Sequence, residues 1–202
     1  MNDSWIATTH DWTQIVDGEH LAQVRRYPEE FAPGGVLHLI LEVIAYAADE
    51  AESRSTTGKC VIQWHTDGSV SIADDGRGTD TRHDERGEPV KKPVMATKDL
   101  RFFDFPDAER LPDGHPRRGL SVVAALSEWL VHTNRRRNGS WTQRYEHGLP
   151  VTDLLTVPDS DETGTTVRFR PDPALGLPSA AELIQATAAW PQLSVHVEAD
   201  PV

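Results

Sequence analysis

VLHLILEVIAYAADEA, residues 36–51, decides how the rest of the chain is read. It is rich in Leu, Ile and Ala, contains no Gly or Pro, and follows the pair Gly34-Gly35. At about four turns it predicts a buried helix. On that helix His38, Glu42, Ala45 and Asp49 are spaced 4, 3 and 4 residues apart and share one face, with Tyr46 at its border. Buried carboxylates are costly without partners. The polar face therefore has two readings: a lined cavity in which Glu42 is a general base positioned by His38, or a surface pair on the wet side of the helix. The segment alone leaves both open.

Outward from the helix, KCVIQWH and SVSIA flank Thr66-Asp67-Gly68 and predict a hairpin. Residues 79–118 are crowded with charge and proline and have little periodicity, which predicts a lid-like excursion of about 40 residues. LSVVAALSEWL (120–130) predicts a helix, LVHTN a strand, and Asn138-Gly139 a second hairpin into SWTQRYEHG. TTVRFRP predicts a further strand. Ser179-Ala180-Ala181-Glu182 is a capping-box signature opening a helix through Ala189, and LSVHVEA a closing strand. Strands joined by tight turns, with helices between them, predict an α/β (α+β) two-layer sandwich. Its sheet is mixed and mostly antiparallel, with helices on one face. Residues 1–19 are expected to form an N-terminal arm or extension, and 20–202 one domain.

The 202 residues fit one medium domain, and the composition, 38% apolar and 26% charged, is that of a soluble globular chain. No stretch is expected to approach the roughly 18 apolar residues of a membrane span. The N-terminus does not read as a secretory signal. A single cysteine, Cys60, excludes an intrachain disulfide framework, and together these features predict a cytoplasmic protein. The net charge of −12 argues against direct DNA binding, which rests on phosphate neutralisation.

Three further constellations carry candidate chemistry. Ala73-Asp74-Asp75-Gly76-Arg77-Gly78 ends a strand, where a carboxylate can accept from an exocyclic amine and glycines let a flat ligand approach. Gly114-His115-Pro116-Arg117-Arg118-Gly119 leads into a helix, as an anion site would, although Pro116 removes one N–H donor. Glu162-Thr163-Gly164-Thr165-Thr166 enters a strand and offers hydroxyls, or simple strand propensity.

Taken in order, LEVIAYAADEA, SVSIADDGRG, RRGLSVVAALSEWL, RYEHGLP and ETGTTVRFRP, with VRRYPEEF ahead of them, resemble the ATPase domain of DNA gyrase B and its topoisomerase IV counterpart. That domain is a GHKL (Bergerat) fold. The resemblance runs from about His20 to the C-terminus. It implies that ATP or ADP binds here. Asp74 would receive the adenine amine, with Thr165 supporting it and Gly78 leaving room for the base. Glu50 and Arg77 would pair beside the adenine, Gly119 would end the lid, and Arg136 would stand at the pocket rim. Glu42 would activate water, helped by His38.

The departures from the family pattern are equally specific. Tyr46 stands where the family places the asparagine that holds Mg²⁺, and tyrosine is a poor ligand for a hard cation. Ala45 replaces an aspartate, Pro116 and Arg117 replace lid glycines, and Asp80 replaces a proline. The resemblance covers one domain, and the family's next domain, with its lysine for the γ-phosphate, is not expected to contribute here. The expectation is an adenine-nucleotide-binding protein with impaired hydrolysis. The alternatives are a slow ATPase using Glu42, or a non-enzymatic regulatory or ligand-sequestering module. Family dimerisation through an N-terminal arm makes a homodimer an open expectation, as is a protein partner.

Overall fold

The computed structural model describes residues 18–79, 109–137, 139–158 and 160–199. Most of the expected arm, and residues 80–108 of the expected lid, lie outside the described residues. The elements run α1 (Gly18–Arg26), α2 (Pro28–Phe31), α3 (Val36–Ser53), β1 (Gly58–Trp64), β2 (Val70–Asp74), α4 (Leu120–Ala125), β3 (Ser127–Arg135) and β4 (Trp141–Glu146). They continue with β5 (Leu149–Pro150), β6 (Leu155–Thr156), β7 (Gly164–Pro171), α5 (Ala180–Thr187) and β8 (Leu193–Ala199).

The eight strands form one sheet in the order β5-β4-β3-β7-β2-β1-β8, with β6 pairing β4. Every pairing is antiparallel except β1 with β8. Side chains alternate across a strand. On one face Leu130, Phe169 and Val70 lie side by side, and in the next row Val167, Ile72 and Ile62. These are buried, and Leu39, Ile40 and Ile44 of α3 join them in one core with Val122 and Val123 of α4. Each such side chain contributes roughly 2–3 kcal/mol of burial. The expected two-layer sandwich, mixed and mostly antiparallel, is the fold observed.

α3 is covered on a second side as well. Leu41 and Ala45 pack with Leu111 of the lid's C-terminal leg and Ala186 of α5. This double cover explains why both His38 and Glu42 are completely buried, so the surface-pair reading of that face does not hold. It also corrects the expectation that no segment is long and apolar enough for a membrane span. Pro28–Ser53 passes on length and composition, but 72% of its most apolar window is buried inside the fold, as a core helix is.

The helix expected over 120–130 ends at Ala125. Ser127 Oγ donates to the Val123 carbonyl at 2.6 Å, and the Asp172 amide donates to the Leu126 carbonyl. From Leu130 the run changes period: Leu130, His132 and Asn134 point in, while Val131 and Thr133 point out. Pairing with β4 and β7 then overrides helical propensity. The capping box is present, with Glu182 N donating to Ser179 Oγ at 3.2 Å and Ser179 N to Glu182 Oε2 at 2.8 Å, although α5 stops at Thr187 rather than Ala189. α1, α2 and the short β5 and β6 were not expected.

Candidate functional site

The helix-facing side of the sheet carries its polar groups at one end. Register aligns Asn134 with Thr165 across β3 and β7, and Ala73 with Thr166 across β2 and β7, so Asp74 follows beside Thr165. Asn134, Thr165 and Asp74 thus form a row on neighbouring strands at the edge of a mostly apolar surface, on which His132 and Gln143 are also buried. Asp74 Oδ1 accepts the Gly76 amide at 2.8 Å, closing a tight turn. Burial pushes the Asp74 carboxyl up to about 6, with the negative charges of Asp75 and Glu50 adding to this and the amides of Gly76 and Thr165 opposing it. A carboxylate so placed is poised to accept from a donor that replaces lost water.

Glycine is required at two points of this turn. A Cβ on Gly164, whose φ is +141°, would sit 2.0 Å from the Asp74 carbonyl oxygen. A Cβ on Gly78, at φ +74°, would sit 2.5 Å from the Arg135 carbonyl oxygen. The turn is tied down from three sides. Asn134 holds Thr79 through both its amide atoms, accepting from Thr79 N at 2.6 Å and donating to Thr79 O at 3.1 Å. Arg136 donates to the Gly78 carbonyl at 2.7 Å, and Thr163 Oγ1 to the Gly76 carbonyl at 2.8 Å. Glu50 Oε1 accepts from Arg77 Nε at 2.6 Å and from the Arg77 amide at 3.1 Å, and Arg77 holds its carboxyl below the usual range against the effect of partial burial. A small recess, with room for about one water, opens beside Asp74, lined by Ala47, Glu50, Lys59, Asp75 and Gly76.

The opposite end of α3 is closed. The lid's C-terminal leg, residues 109–119, is a small hairpin bridged at Arg110 and Pro116. It docks onto the polar face of α3. Glu42 accepts the amides of Arg118 and Gly119, the latter at 2.7 Å. His38 lies 3.3 Å from Glu42 through Nε2 and 2.7 Å from Asp113 through Nδ1. Burial alone would lower the His38 pKa, but the hydrogen bond to Asp113 and the two carboxylate charges outweigh it and push it up to about 9. Arg117 is buried, donating to Asp49 at 2.8 Å and Glu109 at 2.9 Å. Its guanidinium stands 4.9 Å from the centre of the Tyr46 ring. The Tyr46 hydroxyl is 3.4 Å from the Leu120 amide, so this side chain lies toward the lid leg rather than filling the recess beside Asp74.

The residues that hold these groups were only partly anticipated. Asp74, Thr165, Gly78, Arg136, Glu50 and Arg77 gather at one end, and His38, Glu42, Tyr46 and Gly119 at the other. Asn134, Asp113 and Glu109 were missed. A buried asparagine closing a strand of Val, His and Thr was a legible sign for the first, whereas Asp113 and Glu109 sit among many surface-like charges and gave none. Nor do the residues fit Mg²⁺. Tyr46 faces a guanidinium, the Glu42 oxygens are engaged by amides, and among the described residues no group of three His, Cys, Asp or Glu is arranged to hold a metal.

A helix-backed mixed sheet, a strand-end carboxylate under a glycine turn, and a lid leg leading into a second helix define a GHKL-type α/β domain. Its relatives are gyrase B and topoisomerase 4 B proteins. The chain is 37% identical to DNA gyrase B of Thermotoga maritima over 145 residues, covering 70% of this chain and 22% of that protein. It is 31% identical to DNA topoisomerase 4 B of Bacillus subtilis over 170 residues, covering 82% and 26%. It is 34% identical to DNA gyrase B of Archaeoglobus fulgidus over 165 residues, covering 76% and 26%. The chain therefore spans about a quarter of the length of these relatives or less. No family model matches it.

Proposed function

We propose that this chain is an adenine-nucleotide-binding domain whose hydrolysis is impaired, with no turnover that depends on Glu42. The observation that carries this is the row Asn134–Thr165–Asp74 under the Gly76–Gly78 turn. It offers a partly buried carboxylate, a neighbouring hydroxyl and close backbone approach, which suit a planar base with an exocyclic amine. Asp74 accepts the amine, Thr165 supports it, and Gly78 and Arg136 form the rim beside the Glu50–Arg77 pair. The gyrase B and topoisomerase 4 B relatives supply independent support for ATP or ADP as the ligand.

Turnover is disfavoured by two features. Phosphoryl transfer depends mostly on positioning and on neutralising phosphate charge, and Tyr46 with Arg117 leaves no fit for the metal. The general-base candidate, Glu42, has both oxygens committed to the Arg118 and Gly119 amides. A cytoplasmic location belongs to the same reading; Cys60 is buried, and burial pushes its thiol up to about 12, which keeps it inert in any compartment. Equilibrium dialysis with labelled ATP is the test: binding is expected in the native protein and its loss in Asp74→Asn. Phosphate release is expected to be equal in native protein and Glu42→Ala. A release rate that falls in Glu42→Ala would restore the slow-ATPase alternative.

A further inference from the structure

We propose that this site recognises its ligand as a nucleoside, so that the phosphates add nothing to affinity; this rests on the adenine reading of Asp74 above. Among the described residues of the lid leg, the two backbone amides that point at α3 ahead of α4 are already used. Glu42, fully buried, takes the amides of Arg118 and Gly119. Its carboxylate stands in for an anion from outside, and it is held there by His38, which Asp113 fixes from the lid leg at 2.7 Å.

Among the described residues of the leg the cations are committed too: Arg118 is buried with its guanidinium 5.9 Å from the centre of the Phe31 ring. Arg117 is bonded to both Asp49 and Glu109 while its guanidinium lies over Tyr46. A polyphosphate reaching the leg along α3 meets the carboxylates of Glu42 and Asp113 and, on Arg117, those of Asp49 and Glu109. Their ion-pair partners there, His38 and Arg117, are already matched. Admitting the polyphosphate requires the leg to leave α3, breaking the Asp113–His38, Arg117–Asp49 and Glu42–amide contacts together. Such coupled contacts are lost as a unit. The base end does not depend on those contacts, because the turn that carries Asp74 is supported from β3, β7 and the end of α3, and none of the leg's residues lines the recess beside it.

The test is calorimetric titration of the whole chain with adenosine, ADP and ATP, each with and without Mg²⁺. Dissociation constants within about threefold of one another, unmoved by Mg²⁺, are expected. ATP binding about tenfold or more tighter than adenosine overturns the inference while leaving the nucleotide reading standing. No heat from any of the three at millimolar ligand, with the protein folded, overturns that reading and the inference with it. The cause is tested by Glu42→Gln and, should that variant not fold, Asp113→Asn. In the folded variant ATP is expected to gain about tenfold relative to adenosine, and an unchanged ratio overturns the assignment of the lid leg as the barrier.

Discussion

Toward the C-terminal end of α3, Glu50, Arg77, Asp74 and Thr165 converge around a glycine turn, and their bonds mostly join side chain to backbone. Toward its N-terminal end, His38, Glu42 and Asp113 converge too, but they bond to one another and to the leg that covers them, and Arg117 of that leg reaches along α3 to Asp49, beside Glu50. The first arrangement leaves a carboxylate whose pKa is pushed up by burial with few charged partners. The second leaves a histidine whose pKa is pushed up by carboxylates that satisfy it. A group raised chiefly by burial, with only backbone amides opposing the shift, is suited to take a ligand; groups paired with opposite charges from a second element serve as a fastening. One helix thus carries a recognition end and a closed end.

The largest expected effect breaks the recognition end. Gly164→Ala drives a Cβ into the Asp74 carbonyl at a φ that side chains rarely adopt. A destabilisation of about 4 kcal/mol is expected by denaturant titration, with nucleotide binding lost. The same change at Gly114, where a Cβ meets nothing, tests positive φ alone and is expected to cost about 1 kcal/mol.

The closed end is expected to respond to pH. Glu42 faces His38 from its own helix, and Asp113 and His115 face it from the lid leg. The folded pKa of about 9 lies above the ordinary 6.5, so the stabilisation is complete below about pH 6.5 and is lost as pH rises through about 9. Melting curves from pH 7 to 10 are expected to lose on the order of 3 kcal/mol in the native protein and much less in His38→Gln. A native curve flat across that window would contradict the fastening.

A smaller effect separates the two ends by ligand affinity. Asp74→Asn keeps the shape and one acceptor but removes the charge. Adenosine affinity is expected to fall about 30-fold, roughly 2 kcal/mol, while the His38-dependent pH slope stays unchanged. Smallest of all is Tyr46→Asn. It supplies the amide that the metal position lacks but leaves Glu42 and Arg117 committed, so Mg²⁺ is expected to change ATP affinity by under about threefold.

The sequence carried the recognition end well because its parts are local. Asp74-Asp75-Gly76-Arg77-Gly78 is one turn, and a strand-end carboxylate beside two glycines is visible without knowing the sheet. The α3 helix and the β1–β2 hairpin were legible for the same reason, through composition and a single Asp-Gly turn. LSVVAALSEWL was misjudged because its apolar residues fit both periods, and the choice fell to pairing with β7, more than thirty residues away. The closed end was the least legible. His38 and Glu42 share a helix face at a spacing visible in the chain, but their burial depends on Asp113, Arg117 and Leu111, which reach α3 from a segment with no periodicity of its own. Long-range charge pairing leaves no spacing signature, so Asp113–His38, across 75 positions, could be found only in three dimensions.

The most direct measurement is calorimetric titration of the folded chain with a non-hydrolysable ATP analogue, with and without Mg²⁺. Binding in both conditions, with the same dissociation constant and its loss in Asp74→Asn, is the predicted result. Binding that appears only with Mg²⁺, or no heat at millimolar analogue from a protein whose melting curve shows it folded, would contradict the division of α3 into a recognition end and a closed end.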